Sequence, residues 1–226
     1  MHLRDLIQFL SELEENNNRA WFVMNKPRYD ILRGELLTLV ETLIAGITRF
    51  DPAVTHCNPK KAMFRVNRDL RFARGKPPYK TTFSAAITAS GLKKPSQGGG
   101  PAYYFHINAR GILFVGGGEY GPPADRLRAV RQHIVNDASG FQRLLRDKGL
   151  HTIFGGLVEK DQLIRLPKGF DADAPHQEFL KLKSYMVRRE VNVTKLSPEK
   201  LPDLLLADFK AAAPLVKWLR AAGPTP

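Results

Sequence analysis

The sequence predicts an α+β fold: a mostly antiparallel sheet packed with N-terminal and C-terminal helices, in a single domain over residues 1–226. Three observations predict it. Apolar residues recur at helical spacing before residue 50 and again after residue 123. Between them, apolar and polar residues alternate, and the links between the alternating runs are too short for parallel crossovers. A chain of 226 residues with 43% hydrophobic content can bury such a core.

The elements follow in order, through a helical part over 1–50, a β-rich part over 60–120 and a mixed part over 121–226. Leu3, Leu6, Ile7, Leu10 and Leu13 mark a first helix that stops at Asn16-Asn17-Asn18. Asn18 suits an N-cap for a short turn carrying Trp21 and Phe22 into the core. Leu32, Leu36, Leu39, Leu43 and Ile47 stripe a helix over 31–47, closed by Asp51-Pro52. Phe64 and Val66 alternate with Arg65 and Asn67 as a short strand, and 83–88 reads as a second. Residues 91–100 are a loop by composition. Strands over 103–108 and 112–118 flank Ala109-Arg110-Gly111, a tight hairpin turn. Helices follow through Leu127, Val130 and Ile134, and through Phe141 and Leu144. Residues 152–158 read as a brief strand. A helix from Pro175 through Leu182 precedes a strand over 185–193, and Ser197-Pro198-Glu199 opens a terminal helix.

Composition narrows the function classes. One cysteine, Cys57, excludes an internal disulfide framework. Arg4 and Asp5 interrupt the N-terminus before an apolar run forms, so no signal peptide is expected, and no apolar stretch is long enough to span a bilayer. A cytoplasmic protein without membrane contact is the expectation. The net charge of +13 and pI near 10.0 favour anionic partners.

That charge is concentrated. Lys60, Lys61, Arg65, Arg68, Arg71, Arg74, Lys76 and Lys80 face one acid, Asp69. Asn67-Arg68-Asp69 are turn formers, so the strand breaks there and the arginines are spread along a loop. Guanidinium forks suit phosphate or carboxylate, and Pro77-Pro78 stiffens the segment carrying Lys76, Tyr79 and Lys80. The plain alternative is that Asp69 pairs with one Arg while the others bond acids elsewhere or loop carbonyls. A second candidate is GGGEYGPP, where Gly117, Gly118 and Tyr120 would lie in a glycine-rich turn before a helix start, an arrangement that cradles anions. Those glycines equally allow close backbone packing. A third is the strand face bearing Tyr104, His106 and Asn108, with Tyr103, Phe105 and Ile107 turned to the core. His106 and Glu119 are the candidate proton carriers. No HExxH, CxxC or paired-histidine spacing indicates a metal, and no cofactor is indicated.

The segments NNNRAWFVMNKPRYD, FRVNRDLRFARGKPPYKTTF, AYYFHI and GGGEYGPP, in this order, resemble the family catalogued as domain of unknown function 2461. The signature NRDxRFxxxKxPYK, here Asn67 to Lys80, carries the resemblance, with Leu70 where Thr is common and Pro77 where Ser is common. The resemblance implies a globular α+β domain of a kind found in bacteria and fungi. It brings no catalytic residue with it. Two readings stay open: a small anionic ligand, held by Arg65, Arg68, Arg71 and Lys80 in a pocket shared with the 103–108 strand and the GGGEY segment, or nucleic acid on a patch joining the basic loop to Lys181, Lys183, Arg188 and Arg189.

Overall fold

The computed structural model describes residues 1–69, 71, 75–90, 99–171 and 173–223. A four-stranded antiparallel sheet holds β1 (Thr82–Thr88), β2 (Ala102–Asn108), β3 (Ile112–Glu119) and β4 (Tyr185–Asn192), in the spatial order β1-β2-β3-β4. The alternation read from the sequence sets its two faces. Phe83, Ala85 and Ile87 of β1, Tyr103, Phe105 and Ile107 of β2, and Leu113 and Val115 of β3 turn to a buried helical layer. The opposite face carries Ala86, Tyr104, His106, Phe114, Met186 and Arg188.

The helical layer is built from α1 (Leu3–Glu15), α3 (Lys26–Thr48) and the C-terminal α9 (Leu201–Ala221), joined by the short α2 (Arg19–Met24) and α4 (Pro59–Ala62). Asn18 caps α2 as expected, accepting the Trp21 amide at 3.0 Å, and Phe22 is buried. A smaller core lies under α5 (Ala124–Asn136), α6 (Ala138–Leu145) and α7 (Lys148–Phe154), with Tyr185, Val187 and the last turns of α9; α8 (Gln177–Leu180) supplies Leu180. No helix among the described residues is long and apolar enough to cross a membrane.

Three local readings are corrected. The glycines of GGGEY belong to β3 rather than to a turn, because the strand runs unbroken to Glu119 against β4. An ideal Cβ on Gly116 would lie 2.0 Å from the Val187 carbonyl oxygen, and one on Gly118 (φ +128°) 2.2 Å from that of Tyr185, so only glycine lets β4 approach. Residues 152–158 are no strand. Asp147 caps α7 by accepting the Leu150 amide at 2.8 Å, and Gly155 (φ +76°) ends it, so caps outweigh the β-branched Thr152 and Ile153. Ser197 heads a 3₁₀ turn, Pro198–Lys200, ahead of α9, and its hydroxyl bonds the Glu199 carboxylate instead of a backbone amide.

The hairpin after β2 closes as the sequence indicates. Asn108 Oδ1 accepts the amides of Arg110 and Ile112 at 2.9 and 3.0 Å, and Gly111 takes the left-handed conformation at φ +68°. The segment 63–68 is extended and bridged to β1 at Ala85 and to Tyr79, but it is not a full strand. Arg74 and most of the 91–100 loop lie outside the described residues.

Candidate functional site

The open face of the sheet forms a cavity of about 560 Å³. Its floor is the strip Gly116–Gly118, where β3 offers backbone without side chains, and its walls include Phe64, Tyr104, Phe114, Met186 and Arg188. The aromatic walls meet edge to face: Phe64 and Tyr104 at 6.1 Å and 80°, Tyr104 and Phe114 at 5.8 Å and 74°. Phe64 reaches this face because the chain at 63–66 does not alternate regularly, leaving Met63 and Val66 in the core.

Register places the charge. Arg188 pairs across the sheet with Gly116, whose missing side chain leaves its stem room to cross the strand. The guanidinium comes to rest 5.3 Å over the Phe114 ring. Among the described residues it has no carboxylate partner and no hydrogen-bond acceptor. Lys160 and Asp161 also border the cavity, and Asp161 is engaged by Lys183 at 2.7 Å.

Behind the walls, the His106 ring stacks on Phe114 at 4.8 Å and 11°, and its Nδ1 is shut off from solvent with no partner among the described residues. Burial pushes the His106 pKa down, with Glu190 pulling the other way. Burial likewise pushes the Tyr104 phenol up, opposed by the Ser84 hydroxyl.

The sequence candidates divide. Tyr104, Gly117, Gly118 and Tyr120 line the cavity. Arg65, Arg68, Asp69, Arg71, Lys76 and Lys80 do not. Arg65 and Lys76 are exposed, Arg68 donates through Nε to the Tyr79 carbonyl at 3.3 Å, and Lys80 donates to the Arg65 carbonyl at 3.1 Å while lying 5.6 Å over the Phe64 ring. Asp69 grips Arg71 in a two-pronged pair at 2.9 and 2.7 Å, the pairing that the plain alternative to anion binding describes. Tyr79 is no ligand contact, since its ring stacks on Phe22 at 4.1 Å inside the core. Its backbone is clamped by Asn17, which both donates and accepts at 3.0 Å. The arm is therefore fastened to the α1–α2 junction.

Glu119 is not a free proton carrier. It faces Arg126 at 3.0 Å with neither side chain exposed, and Arg126 also donates to the Leu219 and Gly223 carbonyls at the end of α9. Gly117 lines the cavity by backbone only: its Cβ would meet Ala212 and Val216 of α9 at 2.8 and 3.0 Å. The residues missed from sequence as cavity walls are Phe64, Phe114, Met186 and Arg188. The signal for Met186 and Arg188 was the β4 alternation, in which Tyr185 and Val187 turn to the core and these two away from it; for Phe114 it was the same alternation in β3, beside buried Leu113 and Val115.

A family model described as "Conserved hypothetical protein (DUF2461)" matches residues 5–218. No curated protein and no solved structure matches the chain.

Proposed function

The chain belongs to the DUF2461 family, and from its cavity we propose that it binds a small, largely apolar anion bearing a carboxylate or phosphate on the open face of the sheet. The observation that carries this reading is Arg188. A half-buried guanidinium with no partner among the described residues, set against apolar walls, has its fork unfilled. A carboxylate or phosphate would fill that fork with two parallel bonds. Phe114 beneath it holds the planar group in place, which lowers the entropy cost of binding. The cavity volume falls within the range of small-molecule sites.

The charge layout favours this over a nucleic-acid surface, which needs a continuous positive stripe. Arg189 turns to the far side of the sheet and Lys183, just before β4, is paired with Asp161, so the basic groups in and before β4 diverge.

The test is calorimetric titration of carboxylates and phosphate esters into the protein and into Arg188→Gln. At least one class should bind the wild type, with about 10- to 100-fold weaker binding by the variant. Binding that ignores Arg188 would overturn the reading. So would retention of mixed-sequence DNA or RNA that falls steeply with salt while no small anion binds.

A further inference from the structure

Among the described residues lining the cavity, Tyr120 alone leaves most of a large ring in water: it is 76% exposed at the rim. Its place is set by the next residue. The Gly121 amide donates to Ser184 Oγ at 3.0 Å, with Gly121 in the left-handed conformation at φ +54°. Ser184 belongs to the segment leading into β4, so the rim is tied to the strand that carries Arg188. The backbone at the rim is thus pinned, and most of the Tyr120 ring faces solvent, where a second ring can stack on it.

The inner walls extend the pattern. Phe64, Tyr104 and Phe114 already meet edge to face, so the cavity offers both faces and edges to a further ring. Arg188 sits opposite Gly116, and Tyr120 lies four residues further along the chain, roughly 13 Å at strand rise. Anchor and platform are thus at opposite ends of the glycine strip.

We propose that the ligand is an elongated aromatic acid, its anionic group on Arg188 and its ring stacked on Tyr120. This rests on the binding reading above and names the ligand class for the same cavity. Gly116 and Gly118 make the proposal sterically possible, because the connecting chain lies along a strip where any other residue at these two positions would displace β4.

The experiment compares 6-phenylhexanoate, phenylacetate and decanoate by calorimetry on the wild-type chain, Tyr120→Ala and Tyr120→Phe. The exposed position of Tyr120 keeps both variants foldable. The expected result is that 6-phenylhexanoate binds tightest, that Tyr120→Ala weakens it about 3- to 10-fold, and that Tyr120→Phe retains it. Equal binding of decanoate and 6-phenylhexanoate, unaffected by Tyr120→Ala but abolished by Arg188→Gln, would overturn the aromatic class while leaving anion binding in place. No binding of any of the three, together with none of the other carboxylates or phosphate esters, removes both.

Discussion

Arg188 and Arg189 are neighbours in β4 and end on opposite sides of the sheet. Arg188 lies over Phe114 in the cavity, whereas Arg189 grips Asp208 of α9 through two bonds of 2.8 and 2.7 Å. The period of two in a strand turns one basic pair into a cavity-lining group and a structural group. Arg188→Gln should change stability by less than about 0.5 kcal/mol. Arg189→Met should cost about 2–3 kcal/mol, below the cost of breaking a fully enclosed pair because 34% of the Arg189 side chain is exposed. Urea denaturation of both variants checks this; equal loss in the two would refute the division of roles.

Glu119→Gln should cost about 3–5 kcal/mol, because it strands the Arg126 charge in a site with no solvent access. Replacing both members, as Glu119→Leu with Arg126→Met, should recover part of that loss. The shortfall that remains reports the bonds from Arg126 to the Leu219 and Gly223 carbonyls. If the single variant unfolds at the wild-type urea midpoint, the pair contributes nothing and Glu119 becomes available for chemistry again.

Two glycine substitutions should act in opposite directions. Gly116→Ala places a methyl 2.0 Å from a backbone oxygen of β4 and should destabilise by about 1–3 kcal/mol through forced strand separation. Gly34 lies exposed inside α3 with nothing within 4 Å of its Cβ position, so Gly34→Ala should stabilise by about 0.5–1 kcal/mol. Thermal melts of the two variants that shift in the same direction would contradict the backbone geometry of β3.

Two histidines should make stability fall on mild acidification. Burial pushes His106 and His133 below the ordinary value of 6.5; Glu190 opposes it at His106, Asp137 opposes it at His133, and Arg126 reinforces it there. The folded chain holds these protons more weakly than the unfolded chain. Stability from keeping them neutral is therefore complete above about pH 6.5 and is lost as the pH drops through the lowered folded values. The melting temperature should decline from pH 7 to 5, and His106→Gln with His133→Gln should flatten that slope. A wild-type curve already flat over this interval would dismiss the effect.

The sequence by itself determined the α+β class, the antiparallel strands and the helices α1, α3, α5 and α9. Alternation in β2 and helical spacing in α1 and α3 are local patterns, each written within a few residues of the element it specifies. The same local logic identified the Asn18 cap and the turn at Asn108 to Gly111, and it placed Tyr104 on the face away from the core. Charge density, by contrast, pointed to the 60–80 arm, and charge density says nothing about which side chains share a hollow.

Only the tertiary structure decided that. Tyr79 is drawn inward by Phe22 and Asn17, partners some sixty residues earlier in the chain. Glu119 is neutralised by Arg126, itself held by the end of α9, and Gly116 and Gly118 answer to strand β4 rather than to a turn. Arg188 comes to line the cavity because register sets it opposite a glycine and beside Phe114, seventy-four residues before it. Cross-strand register is a non-local relation fixed by the closing of the whole sheet, so no window of sequence contains it.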